Sequence, residues 1–351
     1  MDDLLLRPIR ASDDETVAAI IFDVMTEHGA SGPGFAIHDA EVGAMSEAYA
    51  ARERSACFVL ESFDDGVLGC AAVAPLEGAG PEVCELRKMY FRPALRGRGA
   101  GRRMLRHTLR VAASLGFTRC YLETLASMTK ARALYESEGF EKLCAPLGNT
   151  GHFACDMQYA RTLDGLHVEA ATIETERLVL RGPRPDDVDA VLTWLGDVEA
   201  MRFVGDGRPR SKVEVAHFLA ASAHAFETRG FGFWIVTLRP SEASARGLEA
   251  GSVVGDAGLW PIPTSGRRGF RGPEIELGYR FAPVHHGHGY ATEAASALVA
   301  HAGTFGLERL VAVTHPDNAA SQGVLRKCGF TDEGVTERYY DTRCRAFSRA
   351  L

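Results

Sequence analysis

Long apolar runs are missing from this chain of 351 residues. None approaches the roughly 18 consecutive apolar positions that a membrane-spanning helix needs, so no such helix is expected. The start, MDDLLLRPIR, opens on acid and lacks an extended apolar core, so no secretory signal is expected either. Excess positive charge is missing too: Lys+Arg is 39 against Asp+Glu 46, for a net charge of −7. That balance argues against a dedicated nucleic-acid binder. None of the eight cysteines (Cys57, Cys70, Cys84, Cys120, Cys144, Cys155, Cys328 and Cys344) belongs to a C-x-x-C pair. Most stand among strand-like apolar residues and read as reduced core side chains of a cytoplasmic protein, not as a disulfide frame or a zinc site. Compositional bias is absent: 46% hydrophobic, 24% charged and 9% aromatic residues exclude disorder or a fibrous fold for the whole chain. What remains is a globular chain with room for two domains.

The two expected domains are copies of one plan. LRPIRASDD at 6–14 is matched by LRGPRPDD from Leu180, each followed by an apolar-periodic segment, Val17–Met25 and Val188–Leu195. RGRGAG (96–101) is matched by HGHGYA (286–291), and EGF (138–140) by CGF (328–330). Gly99 and Gly289 stand 190 positions apart, as do Phe140 and Phe330, so the cores of the halves align without a gap. Arg10 and Arg184 are offset by 174, so the second half carries about 16 extra residues. The polar and Gly/Pro-rich stretches 239–252 and 261–273 read as the loops that hold them. The division expected is one domain at 1–163, a linker at 164–172 and a second domain at 173–351, each an α/β or α+β layer structure.

In the first half, Val83–Phe91 is dense in strand formers and Gly101–Leu115 fits an amphipathic helix. Between them lies RGRGAG. Glycines between a strand and a helix N-terminus let backbone amides approach a phosphate, where the helix dipole also favours negative charge. From Leu86 to Leu122 there are ten Lys/Arg and no Asp/Glu, a natural counterpart for a polyphosphate ligand. A solvated basic helix face is the plainer alternative, and RNA binding a lesser one, since no aromatic platform accompanies the charge. The dinucleotide pattern G-x-G-x-x-G fails because Arg102 occupies the third glycine position.

The spacing R-x-x-G-x-G, Arg96 to Gly101, resembles motif A of the Gcn5-related N-acetyltransferase (GNAT) superfamily, which binds the pyrophosphate of acetyl-CoA. KARALYESEGF, about 30 residues on, resembles that family's final helix and following strand. In the second half ETERLVLR, ELGYRFAP, GHGYATEA and NAASQGVLRKCGF resemble the branch of ribosomal-protein N-terminal acetyltransferases. The resemblance implies two tandem domains of α/β (α+β) class, each a mixed, mostly antiparallel sheet flanked by helices, with a splayed central strand pair. It implies acetyl-CoA as cofactor, with binding residues Met89, Tyr90, Arg96, Gly97, Arg98, Gly99, Ala100, Gly101 and Arg102 in the first half. The second-half counterparts are His286, Gly287, His288, Gly289, Tyr290, Ala291, Asn318 and Ser321. His286 stands where Arg96 stands, and no arginine cluster follows it, so weaker acyl-CoA binding is expected there. No metal is expected at His285, His286 and His288, which lack carboxylate company.

The implied activity is direct acetyl transfer to a primary amine: a small amino compound, an amino acid or a protein N-terminus. Tyr135 matches the family's thiolate-protonating tyrosine, and Glu85 and Glu123 are the candidate bases. Each of these acids could equally be a salt-bridge partner of a neighbouring arginine. Leu325 takes the tyrosine's place in the second half, leaving Ser321 or water as acid, or an inactive half. Glu276 lies seven positions before Pro283, whereas Glu85 lies eight before Pro93, so strict alternation puts them on opposite faces unless a bulge intervenes. Asn149, Thr150 and His152 are expected near the acceptor. Two alternatives stay open: one active and one degenerate half, or a non-catalytic acyl-CoA sensor. The expected partners are acetyl-CoA and an amine-bearing acceptor, with no nucleic acid and no membrane, for a monomer or homodimer in the cytoplasm.

Overall fold

The computed structural model describes residues 4–266 and 272–351. It divides into two compact units, Met1–Leu166 and His167–Leu351. The first contains β1 (Leu4–Pro8), α1 (Asp14–Glu27), α2 (Met45–Ala51), β2 (Ala56–Ser62), β3 (Gly66–Pro75), β4 (Val83–Phe91), α3 (Ala100–Ser114), β5 (Arg119–Thr124), α4 (Thr129–Ser137), β6 (Glu141–Lys142) and β7 (Met157–Thr162). The second contains β8 (Ile173–Glu174), β9 (Leu178–Arg181), α5 (Val188–Leu195), α6 (Val198–Met201), α7 (Lys212–Arg229), β10 (Phe233–Leu238), α8 (Pro240–Ala245), β11 (Val253–Pro261), β12 (Ile275–Phe281), α9 (Tyr290–Ala302), β13 (Arg309–Thr314), α10 (Ala319–Lys327), β14 (Thr331–Thr336) and β15 (Cys344–Ala350).

Each unit is one mixed sheet flanked by helices, as the resemblance implied. The first sheet runs β1-β2-β3-β4-β5-β7-β6, the second β14-β15-β13-β12-β11-β10-β9-β8. Every pairing is antiparallel except β4 with β5 and β12 with β13. Those central parallel pairs are short. β4 meets β5 only at Val83–Glu85 against Arg119–Tyr121, and β12 meets β13 only at Glu276 against Val311. Beyond these positions the strands part, and each sheet opens a cleft at its middle.

The shared plan extends to side chains. Arg7 grips Asp13 through two hydrogen bonds of 2.6 and 2.9 Å, and Asp13 also accepts the Arg10 amide. Arg181 and Asp187 repeat the fork, with the Arg184 amide as third donor. In both units this pins the turn that launches the first helix. The sequence offset of 190 reappears in the elements: β5 and β13, then α4 and α10, start and end 190 positions apart.

The added length of the second unit sits where two connections have grown. Residues 239–252 join β10 to β11, where 63–65 suffice between β2 and β3. This stretch is not wholly a loop. Pro240 starts the helix α8, favoured by its preset φ at the first helical position, and Ala243 in it is fully buried. The expected loop 261–273 begins on the last residue of β11, and its residues 267–271 lie outside the described residues. Of the eight cysteines, all free, Cys144 is exposed and Cys155 half-buried, while the other six are core residues. Among the described residues no helix is long and apolar enough to cross a membrane.

Candidate active site

Both helices that follow the splayed strands start on a glycine in the left-handed region, Gly99 at φ +76° before α3 and Gly289 at +80° before α9. A residue with a Cβ is strained there. The first intrahelical bonds are Arg103 N to Gly99 O and Glu293 N to Gly289 O. The amides of Ala100, Gly101 and Arg102, and of Tyr290, Ala291 and Thr292, therefore have no carbonyl one turn back. No side chain caps either helix. A Cβ built on Gly97 or Gly287 would meet nothing within 4 Å, so each loop faces open space. Uncapped amides, positive-φ glycines and open space together fit a pyrophosphate. His286 and Arg96 play one local part: each donates to the carbonyl that ends its strand, at 2.9 Å to Phe281 and 3.4 Å to Phe91.

The cations around the two loops differ from the sequence expectation. Arg96 is held by both oxygens of Glu27 on α1, at 2.5 Å each. Arg102 and Arg106 share Glu138, at 2.8 and 2.7 Å. Arg103 and Arg110 are buried and donate to the carbonyls of Leu4 and Leu166. The acid-free stretch thus finds its acids elsewhere in the chain. Arg98 is exposed on the loop, and Met89 Cε and Leu134 Cδ2 pack near Gly101. Tyr90 packs instead against the α1 core.

In the second unit, where no arginine was expected, two arrive from distant elements. Arg177 donates to the His288 carbonyl at 2.9 Å, pairs with Glu293 at 2.7 Å and lies 5.0 Å from the centre of the Tyr290 ring. Its Nη2 is 3.4 Å from where a Gly289 Cβ would stand. Arg246, just past α8, touches His288 Nε2 at 2.7 Å. The ETERLVLR segment pointed to Arg177, but spacing alone gave it no role. Arg246 had no signal at all.

The acids on the splayed strands resolve the question of faces. Glu85 pairs in register with Tyr121 and Glu276 with Val311, and those two partners are 190 positions apart. Glu85 and Glu276 therefore occupy one structural position. The extra residue is a bulge in β4: Cys70 faces Tyr90 while Ala72 faces Arg87, with Lys88 at φ +54° between them. The β11–β12 ladder runs unbroken.

Around Glu85 the first unit is densely paired. His152 Nε2 donates to Asp39 at 2.8 Å, and its Nδ1 lies 3.8 Å from Glu85. The buried Lys88 ammonium is bonded to Asp39, and Arg87 lies 2.9 Å from Glu41 and 3.4 Å from Glu85. Burial raises the Glu85 carboxyl above its usual range, against Arg87 and His152 but with the help of nearby Glu123. Glu123 itself accepts from Tyr121 at 2.6 Å and Thr150 at 2.7 Å. The expected acceptor loop thus joins both candidate bases, through His152 and Thr150, while Asn149 turns its amide to the Glu77 carbonyl. Tyr135 is buried, its ring 5.8 Å from that of Phe140 and 6.5 Å from that of Tyr159. Burial raises its phenol, and no described side chain hydrogen-bonds it.

In the second unit the splay holds a cavity of about 310 Å³. Glu276, Tyr279, Ser321, Asn318 and Leu325 line it. Asn318 caps α10 by accepting the Ser321 amide at 3.1 Å, and the Ser321 hydroxyl meets Tyr279 at 3.0 Å. Glu276 accepts from the Tyr340 hydroxyl, and burial pushes its carboxyl up to about 7. A carboxyl poised there can exchange a proton near neutral pH. Sequence reading missed Tyr340, which reaches Glu276 from the turn between β14 and β15. Among the described residues no group of three or more His, Cys, Asp and Glu is arranged to hold a metal ion.

Both units match models of one family. Residues 177–331 match the acetyltransferase (GNAT) domain model and 23–140 the acetyltransferase (GNAT) family model. The chain is 36% identical over 160 residues to the Escherichia coli protein named uncharacterized N-acetyltransferase YjgM, covering 95% of that protein and 45% of this one. It is 32% identical over 176 residues to the FsC-acetyl coenzyme A-N(2)-transacetylase of Aspergillus fumigatus, covering 69% of that protein and 49% of this one. A solved ribosomal L7/L12 alpha-N-protein acetyltransferase in complex with coenzyme A aligns at 18% identity and a TM-score of 0.40, over 52% of this chain and 98% of that one. With two matching domains in tandem and a relative covered almost end to end, the chain belongs to the GNAT family of acetyl-CoA-dependent acyltransferases.

Proposed function

We propose that this protein moves the acetyl group of acetyl-CoA onto a primary amine of a small amino compound, an amino acid or a protein N-terminus, with Glu276 as general base in the second unit. The observation that carries this reading is Glu276 itself: a carboxyl near 7, at the point where β12 and β13 part, on the wall of a cavity. An ammonium of pKa roughly 10 must lose a proton before it can attack. A base matched to neutral pH is what that step requires. Acetyl-CoA supplies the activated acyl carbon. Ala100–Arg102 and Tyr290–Thr292 offer it unpaired amides, and Arg177 adds positive charge beside the second loop. When the amine nitrogen bonds to the acyl carbon, the carbon–sulfur bond breaks and the thiolate takes a proton. Tyr279 and Ser321, hydrogen-bonded to each other on the cavity wall, are the candidate donors there.

A second active cleft, in the first unit, is favoured by the unengaged Tyr135 hydroxyl and by the raised Glu85 carboxyl. There Tyr135 is the acid and Glu85, with Glu123 beside it, the base. A sensor without turnover has no use for an acid poised near neutrality on the splayed strand. Thiol release from acetyl-CoA, measured against a panel of amines, tests the reading. Release that requires both amine and Glu276 supports it, and binding of acetyl-CoA without release under any amine would make the protein a sensor.

A further inference from the structure

We propose that the acceptor amine of the second unit also carries an anionic group, and that Arg343 reads it. The inference rests on the acetyl-transfer reading above.

Charge around the cavity argues for it. Glu276 is the one carboxylate among the described lining residues, and it is half neutral near pH 7. Two arginines line the same cavity. Arg280 is ion-paired with the fully buried Asp256, 2.9 Å from its Nε, with the Trp194 indole donating to the other Asp256 oxygen at 2.8 Å. Arg343 is exposed at the cavity and, among the described residues, has neither ion-pair nor hydrogen-bond partner. A cleft whose uncompensated charge is an arginine repels a bare ammonium. It suits an amine whose own anion meets the guanidinium while the nitrogen faces Glu276.

The backbone holds Arg343 there at a conformational cost. Tyr340 and Asp341 sit at φ +57° and +51°, and the Thr342 amide closes the turn on Tyr339 O at 3.3 Å. Two consecutive left-handed residues make a type I′ turn, which ordinarily takes Asn-Gly and not Tyr-Asp. The segment after β11 clamps it: Pro263 O accepts the Tyr340 amide at 3.2 Å, and Asp341 accepts the Gly266 amide at 2.6 Å. This one turn brings the Tyr340 hydroxyl to Glu276 and, three residues on, Arg343 to the cavity. Strain kept by outside clamps is characteristic of sites, not of connections.

The test is steady-state thiol release by the full chain at saturating acetyl-CoA. Single amino acids are compared with their carboxamides, and O-phosphoethanolamine with ethanolamine, so that carboxylate and phosphate are separate arms. The wild-type protein should favour the anionic member of at least one pair by tenfold or more in kcat/KM. Arg343→Glu should abolish that preference by raising KM for the anionic amine, while KM for its partner without the anion stays the same or falls. Arg343→Lys should restore most of it. Glu276→Gln should remove the anion-selective rate, which ties it to this cleft. Equal rates within both pairs, an effect of Arg343→Glu confined to KM for acetyl-CoA, or selectivity that survives Glu276→Gln would each overturn the inference and leave acetyl transfer standing. Absence of release with every amine would overturn the acetyl-transfer reading itself.

Discussion

The two units put a glutamate at one position of one fold and surround it differently. Glu85 is enclosed by Arg87, His152 and, through them, Asp39 and Lys88, so most charges near it already have partners. Glu276 has a tyrosine on one side and a cavity on the other. The glycine loops differ in the opposite sense from the one arginine counting suggests. The first has Arg96 tied to Glu27, whereas the second borrows Arg177 and Arg246 from elsewhere. Density of a residue type along the chain is thus a poor guide to its availability in space, because partners are recruited across the fold.

The sharpest way to break this comparison is to exchange the two acids for amides. Glu276→Gln should lower kcat by a factor of about 100–10,000, the usual range for removing a general base, with Glu85→Gln costing less. The wild-type kcat/KM should rise with pH through about 7, because Glu276 must shed its proton to act. A larger loss from Glu85→Gln would transfer the main chemistry to the first unit.

Next in size is the stability of the paired cluster. Asp39→Asn leaves the fully enclosed Lys88 ammonium with only the more distant Glu41, 3.9 Å away, as counter-charge and should destabilise the first unit by about 3 kcal/mol in chemical denaturation. The same pair sets an acid limit. Burial works to raise the folded Asp39 carboxyl, but His152 and Lys88 together hold it at about 2, below its ordinary 3.8. A depressed carboxyl stabilises above its unfolded pKa, so this contribution should be present above about pH 4 and disappear as pH falls toward 2. Melting temperatures of wild type and Asp39→Asn should converge over that interval.

Tyr135→Phe keeps the ring against Phe140 and Tyr159 and removes only the hydroxyl. It should cut whatever turnover belongs to the first unit at least tenfold while changing stability by less than about 0.5 kcal/mol. Measured in a Glu276→Gln background, it isolates the first cleft. The smallest effect concerns Arg96. Glu27→Gln frees its guanidinium for a phosphate and should tighten coenzyme A binding to the first unit by a few-fold in calorimetry, as expected for an exposed ion pair. Unchanged affinity would place Arg96 outside the cofactor's reach.

Much of this was legible in the chain. The constant offset between glycine loops and between the two GF pairs carried over to strands and helices, because those segments hold no insertion. The splayed strands and glycine-capped helices followed from the family resemblance and are present. The β4 bulge was legible only as a mismatch of one position. Nothing around Lys88 marks it, since neither Gly nor Pro stands there. Arg177, Arg246 and Tyr340 were hidden for a common reason: each reaches the cleft from an element far away in sequence. Tyr-Asp in a type I′ turn is invisible to pattern reading, which looks there for Asn-Gly. The stretch 239–252 read as a loop because it combines polar residues with Pro and Gly, yet α8 needs only Ala243 as its buried anchor.

The unbroken 190-residue offset from Gly99–Phe140 to Gly289–Phe330 has a consequence for inheritance. Recombination between the two copies at these glycine and phenylalanine landmarks would keep the residue count and exchange β5 for β13 and α4 for α10 at equal length, while α3, which runs to Ser114, would be exchanged for α9, which ends at Ala302. The stretch is a cassette with matched ends. One crossover pair would carry Leu325 into the place of Tyr135, or the reverse, together with the helix that presents it. Variation at the proposed leaving-group acid can therefore spread from one unit to the other in a single genetic step, while the strand that bears Glu85 or Glu276 lies outside the cassette and stays behind.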